Sequence, residues 1–318
     1  MLLNTVLDTL ISGLPLVPLI LGIYLVFQIR HDFDMTVEGS FALGAATAAV
    51  CLTDTLDPFL AVLVGAAAGA VAGLITAGLH LALGIPVILA GLVMSIGLFT
   101  VTLHILGSPT VSLISTDTIY AAPLENSGLS LDTIQICVLG VLVLAVLSGF
   151  ALFLRTERGL ALRASGAHTV MVRSLGVSER SMVVLSLGLA NSLAGLSGGL
   201  VVQTQGFADV NMGIGVFVAG VGAVLLGLVI VRPSGSQVVR IVAAVLVGAL
   251  LYRLVLVATL RFGLPATDLK GITALTLILA VVAQRYLGHL GSLLRNRADT
   301  RRGTSDTRRT SPMTGVTR

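Results

Sequence analysis

The sequence predicts an all-α polytopic membrane protein with about nine transmembrane helices, within a range of eight to ten. Of the 318 residues, 55% are hydrophobic and only 11% are charged, whereas soluble domains usually carry about 25% charged residues. The mean hydropathy is +1.02. Apolar runs of about 20 residues, the length that crosses a bilayer, recur along the chain.

The chain divides into a transmembrane domain over residues 1–290 and a polar, arginine-rich tail over 291–318. The first apolar run has no basic segment before it, so we interpret it as a helix rather than a cleavable signal. The tail lacks periodicity, which indicates a disordered cytoplasmic segment. The candidate spans are 6–27, 39–56, 59–80, 85–106, 133–154, 181–203, 212–231, 237–258 and 269–286.

The distribution of basic residues predicts the orientation. With the N-terminus outside and the C-terminus cytoplasmic, all but three of the 19 basic residues fall in inner loops or the tail, as the positive-inside rule requires. The exceptions are Arg253, Arg261 and Lys270. The net charge of +4 comes largely from the tail, so it does not indicate nucleic-acid binding.

Two spans open alike, with FDMTVEGSFALGAATAAV at 33–50 and FADVNMGIGVFVAGVGAV at 207–224. Each has a Phe and a nearby Asp, followed by glycine and small residues. In the predicted topology they enter from opposite faces, which is typical of the inverted repeats of transporters. A chance similarity between small-residue helices is the alternative.

The loop over 155–182 is the longest polar stretch between two spans. Its apolar residues recur at spacings of three and four, which predicts an amphipathic cytoplasmic helix over 160–176. Such a helix needs a surface against which to bury its apolar stripe, either lipid headgroups or a partner's groove. The alternative to a docking helix is an ordinary basic cytoplasmic loop. The stripe residues are Leu160, Ala164, Ala167, Met171 and Leu175.

Four motifs in order resemble ABC importer permeases of the branched-chain amino acid and ribose type. DMTVEGSFALGAA matches the family's opening motif, and the run over 162–200 matches its coupling loop and the following A-L-A-G-L-(A/S)-G helix. QTQGFADVNMGIG, residues 203–215, is similar to the tryptophan/tyrosine-like subgroup, and PATDLKGITA also fits. The resemblance covers roughly residues 1–290.

The resemblance implies a transport subunit of the inner (plasma) membrane, not an enzyme. Two permease chains, identical or paralogous, would form the pathway. An ABC ATPase would bind on the cytoplasmic side, and an extracytoplasmic solute-binding protein would bind on the outer face. The cargo would be a small polar organic solute, with an amino acid as first candidate. The chain has no G-x-x-x-x-G-K-(S/T) motif, so ATP and Mg would bind the partner, and no cofactor is expected here.

The same resemblance assigns ATPase coupling to the 160–176 helix. Two departures from the family pattern stand out: His168-Thr169 replaces Asn-Pro in the coupling segment, and Gly227-Leu228 replaces Gly-Glu after the seventh span. The residues expected to couple are Arg163, Ser165, Gly166, His168, Met171, Arg173 and Gly176.

Polar residues at the start of the second span are one candidate part of the translocation pathway: Asp34, Thr36, Glu38 and Ser40. We expect them at the inner membrane face, because charges inside a bilayer are costly. There the acids would favour the helix macrodipole, and the hydroxyls could cap free N–H groups. The alternative is that they line an inner gate or contact the ATPase.

The other candidate part is a polar cluster around the end of span six and the start of span seven: Asn191, Gln203, Gln205, Asp209 and Asn211. Unpaired polar groups in hydrocarbon are costly, so we expect these to face a cavity or one another. Bonding between helices without substrate contact is the alternative.

Competing classes make different demands on the sequence. A secondary transporter driven by an ion gradient would place carboxylates in span centres, whereas the acids here are expected in loops or at span ends. The third class is a membrane-embedded enzyme or a purely structural subunit, and an enzyme would need a cluster of His, Asp, Glu or Ser at one depth. Neither needs a docking helix, so the loop over 155–182 favours the ABC importer. Cys51 and Cys137 fit no metal motif.

Overall fold

The computed structural model describes residues 2–121, 123–124, 130–231, 238–263, 265, 268–269 and 271–282. Within these residues, eight helical segments are long and apolar enough to cross a membrane. The predicted all-α multi-pass class is therefore confirmed. A shorter apolar helix lies where the ninth span was predicted, and the predicted tail lies outside the described residues.

The spanning segments agree with the predicted runs to within a few residues at each end. They are Leu3–Arg30, Thr36–Thr53, Pro58–Leu83, Val87–Leu106, Leu131–Arg155, Glu179–Gln205, Val210–Ile230 and Val238–Arg261. In chain order the helices are α1 (Leu2–Gly13), α2 (Val17–Ile23), α3 (Thr36–Thr53), α4 (Pro58–Leu83), α5 (Val87–Leu106), α6 (Leu131–Arg155), α7 (Glu157–Ala167), α8 (Thr169–Ser174), α9 (Glu179–Gln205), α10 (Val216–Ile230), α11 (Val238–Arg261) and α12 (Gly271–Val282).

The first spanning segment is not one regular α-helix. Pro15 lies in a 3₁₀ turn (Leu14–Leu16) between α1 and α2, and Pro18 lies in the first turn of α2. Proline lacks the N–H that a continuous helix would use. A π-helical stretch then runs to Arg30 and ends at His31, which is left-handed with φ 61°. The chain therefore changes direction sharply before α3.

Helix α9 lies at the centre of the fold and packs against α3 and α4. Gly44 of α3 lies against the Gly195 backbone, and Gly69 of α4 lies against the Asn191 carbonyl. Glycine allows backbones to approach this closely in membrane helices. The small residues that the sequence shows in these spans are therefore packing sites.

Helix α3 runs parallel to α9 but begins beside the middle of it. The side chains of Asp34 and Ser40 both bond to Asn191, which lies roughly 18 Å along the axis from Glu179 at 1.5 Å per residue. The prediction that the second span starts at the inner face is therefore wrong. Residues 31–35 connect the end of the first span to this deep starting point.

Two short strands, which the sequence analysis did not predict, form an antiparallel sheet. Strand β1 (Thr110–Ser112) pairs with β2 (Phe207–Asp209), and Thr110 lies opposite Asp209. The sheet follows the C-terminal end of α9, whereas α7 and α8 precede its N-terminal end. We call these the strand face and the loop face of the molecule.

Candidate translocation site and coupling helices

Five side chains form a buried polar centre between α3, α4 and α9. The Asn191 Nδ2 donates to Asp34 Oδ2 at 2.6 Å, and Ser40 Oγ donates to Asn191 Oδ1 at 2.7 Å. The hydroxyls of Thr36 and Thr76 bond to each other at 2.8 Å. All five have a relative exposure of 0%, so this centre has no access to solvent here.

Asp34 lies inside the protein and not at the membrane edge. It was expected at the membrane edge, yet its carboxylate is fully buried and accepts bonds from Thr36 N and Asn191 Nδ2. These two donors offset part of the cost of burying the group. Asp34 is therefore an acid at the depth of a span centre, which the sequence did not predict.

Glu38 joins the beginnings of two helices. Its Oε1 accepts from Gly215 N at 3.0 Å and from Phe217 N at 3.4 Å. These N–H groups belong to the free first turn of α10, where a carboxylate is favourable. The acid on α3 therefore caps α10, and the two helices begin side by side.

The two segments that look alike in sequence also share one local turn. Asp34 Oδ1 accepts from Thr36 N at 2.9 Å, and Asp209 Oδ1 accepts from Asn211 N at 2.7 Å. In both, this turn lies a few residues before a helix: Asp34 lies just before α3, and Asp209 caps a 3₁₀ turn (Val210–Gly213) that precedes α10. This shared geometry is what an inverted repeat predicts.

The predicted polar cluster around the end of the sixth span is divided in the structure. Asn191 belongs to the polar centre, at the middle of α9. Gln203 is buried, and its side chain bonds to the backbone of two other segments. It accepts from Ile119 N at 2.8 Å and donates to Pro58 O at 2.9 Å. The other three residues line one cavity: Gln205, Asp209 and Asn211.

This cavity, of about 370 Å³, extends from the end of α9 to the start of α10. We call it the strand-face cavity. It is bounded by apolar side chains of α2, α10 and α11, and Arg253 is among its lining residues. The further lining residues that sequence reasoning did not assign to the pathway include Phe41, Phe207, Met212, Tyr252 and Arg253.

Asp209 is held in its charged form at the mouth of the strand-face cavity. Thr110 Oγ1 donates to Asp209 Oδ2 at 2.6 Å, and this bond is the main cause that lowers the pKa of Asp209. The hydrogen bond also joins β1 to β2 beyond their backbone pairing. The cavity therefore carries a fixed negative charge at its strand-face end.

On the loop face, the predicted helix over 160–176 is two helices. Helix α7 ends at Ala167 and α8 begins at Thr169, and His168 between them has φ −150° and ψ 87°. The break lies at His168-Thr169, where the permeases that this sequence resembles have Asn-Pro. After α8, the chain turns at Gly176, which has a left-handed φ of 81°.

Three of the seven predicted coupling residues attach α7 to the rest of the protein. Ser165 is buried and accepts from Arg30 Nη1 at 3.4 Å, and Gly166 packs against the Ile29 carbonyl. Arg163 Nη2 donates to Leu154 O at 3.1 Å, near the end of α6. Ser165 and Gly166 therefore contact the end of the first span, whereas Arg163 contacts the end of α6.

The other four predicted coupling residues are exposed: His168, Met171, Arg173 and Gly176. Arg173 forms an ion pair with Glu179, which connects α8 to the start of α9. All five residues of the predicted apolar stripe are exposed as well. Val170 is 80% exposed and Leu175 is 70% exposed, so an apolar surface remains uncovered on the loop face.

Within the described ranges, no group of three or more His, Cys, Asp or Glu side chains is placed to hold a metal ion. The features that remain are the polar centre, the strand-face cavity and the exposed loop-face helices. The polar centre lies beside the middle of α9, the strand-face cavity lies near its C-terminal end, and the loop-face helices precede its N-terminal end.

Comparisons with known proteins show the family of this chain. Residues 5–282 match the family described as branched-chain amino acid transport system / permease component. The chain is 32% identical over 258 residues to a tyrosine transport system permease protein of Clostridioides difficile (strain R20291), covering 81% of this chain and 84% of that protein.

A second relative is the uncharacterized protein RP368 of Rickettsia prowazekii (strain Madrid E). It is 31% identical over 281 residues, which cover 87% of this chain and 97% of that protein. No solved structure matches the chain. The chain therefore belongs to the branched-chain amino acid transport permease family and is a multi-pass permease component of a membrane transport system.

Proposed function

We propose that this permease component is the transmembrane subunit of an ATP-driven ABC importer. A separate ATPase would bind ATP and Mg and dock on the loop face. A second permease chain would complete the pathway, and an extracytoplasmic solute-binding protein would deliver the cargo. The resemblance of four motifs and the tyrosine transport relative support an amino acid as cargo.

The observation that carries the docking proposal is the exposed surface of α7 and α8. Leu160, Val170, Met171 and Leu175 are between 58% and 80% exposed, although they lie outside every spanning segment. Short helices with an uncovered apolar face fit a partner's groove. On the opposite face, Ser165 and Gly166 attach α7 to the first span, so a movement of α7 reaches the transmembrane helices.

An ion-gradient-driven carrier is the competing function, and the position of Asp34 removes one argument against it. Family membership and the uncovered loop-face surface favour the ATP-driven importer. A carrier of that kind has no use for a docked ATPase, so the partner itself distinguishes the two functions.

The test is capture of the ATPase from native membranes solubilised in mild detergent, with the tagged chain as bait. We expect the wild type to retain an ABC ATPase and Met171→Glu to lose it, because a charge would enter an apolar contact. Ile114→Glu is the matched control, since Ile114 is 91% exposed on the strand face. Equal ATPase recovery with both variants would contradict docking at α8.

A further inference from the structure

Arg253 is a half-buried cation on α11 without a counter-ion among the described residues. Its Nε is buried and has no hydrogen-bond partner, and no described residue forms an ion pair with its guanidinium. Its stem packs on α1, where a Cβ at Gly13 would lie 3.4 Å from Arg253 Cγ. Arg261 on the same helix differs, because it pairs with Asp8 at 2.6 Å.

A charge held in a helix bundle without a partner is costly, and ionisable residues within spanning helices mark pathways. Arg253 lines the strand-face cavity. The acid that also lines this cavity, Asp209, does not pair with it. The Asp209 carboxylate is already held by Thr110 Oγ1 at 2.6 Å and Asn211 N at 2.7 Å. The Arg253 guanidinium is therefore available to bind an anion that enters the cavity.

The other walls indicate which anion fits. Phe41, Phe207 and Tyr252 supply aromatic surface, and Asp209 supplies a separate negative charge. The volume of about 370 Å³ is within the range of small-molecule sites. A zwitterion with an apolar or aromatic body matches one positive group, one negative group and aromatic walls.

We propose that Arg253 binds the α-carboxylate of an amino acid with an apolar or aromatic side chain in the strand-face cavity. Guanidinium binds carboxylate through two parallel hydrogen bonds, and Asp209 faces the ammonium group. This inference rests on the proposed import of amino acids and names the residue that recognises the cargo inside the membrane subunit.

The test uses the complex of permease and ATPase in lipid nanodiscs, without the solute-binding protein. Saturation-transfer NMR measures binding of L-phenylalanine and of L-phenylalaninamide, which lacks the carboxylate. We expect the wild type to bind phenylalanine at least about tenfold more tightly than the amide, the loss expected when one charge-assisted bond is removed. Arg253→Gln should remove that preference.

Arg261→Gln is the matched control, with the same change on the same helix, and it should keep the preference for phenylalanine. Equal binding of the two ligands by the wild type, no binding of phenylalanine, or an unchanged preference in Arg253→Gln would each overturn the inference. ATP-driven uptake of amino acids by the wild-type complex is measured in parallel. If uptake is present without the binding preference, only this inference fails, whereas absent uptake contradicts the proposed function itself.

Discussion

Asn191→Leu tests whether the buried polar centre holds the helices of this permease together. The substitution nearly preserves side-chain volume but removes the amide. Asp34 then loses the donor at 2.6 Å, and Ser40 loses the acceptor at 2.7 Å. Both groups are fully buried, so water does not replace the missing partner.

The size of the effect follows from these two losses. Hydrogen bonds between membrane helices contribute on average about 0.6 and at most about 1.7 kcal/mol each. Leaving a buried polar group unsatisfied adds about 1–3 kcal/mol. We therefore expect Asn191→Leu to lower the free energy of unfolding by about 2–4 kcal/mol.

Unfolding in bicelles by titration with SDS measures this loss. Thr47→Val is the control, because the Thr47 hydroxyl donates only to Leu43 O and Gly44 O of its own helix, and its effect should stay below about 0.5 kcal/mol. In an Asp34→Leu background, the effect of Asn191→Leu should shrink, since the shared bond is already absent. A loss for Asn191→Leu no larger than that of the control would refute the reasoning.

Two further predictions concern the loop face and the strand face. Gly166→Ala places a methyl group against the Ile29 carbonyl and should displace α7, at a cost of about 1–3 kcal/mol. The amount of solute transported per ATP hydrolysed should therefore fall. Gly140→Ala is the control, since a Cβ at Gly140 meets no atom within 4 Å, and it should leave this ratio unchanged. Because the folded pKa of Asp209 is lowered, its contribution to stability is present above its unfolded pKa of about 3.9 and is lost as the pH falls through the folded value. Stability curves of wild type and Thr110→Val should therefore differ at pH 7 and converge in acid, and a constant gap would contradict this.

Hydropathy predicted the spanning helices well but not the depth at which they begin. The run after Asp34 is apolar and long enough to be a span, yet its start lies beside Asn191. The two residues are 157 positions apart in the chain, and no local pattern shows that contact. The start of a helix therefore does not mark the membrane edge in this protein, because tertiary contacts set its depth.

The candidate site was predictable in part. Gln205, Asp209 and Asn211 are close in sequence, and the structure places all three on one cavity. Arg253 is an exception to the positive-inside pattern, and an arginine inside the apolar run 237–258 is itself a signal of a functional site. The strands have three residues each, which is too short for an alternating pattern. The sequence therefore could not predict that they pair.

The measurement that tests the central claim most directly is solute uptake by the captured complex in proteoliposomes. Labelled tyrosine, phenylalanine and leucine are supplied outside with the solute-binding protein, and ATP is enclosed inside without an ion gradient. ATP-driven import predicts accumulation that requires hydrolysable ATP and persists when ionophores are added. Accumulation driven by an imposed proton or sodium gradient in the absence of ATP would contradict the account and favour a secondary carrier.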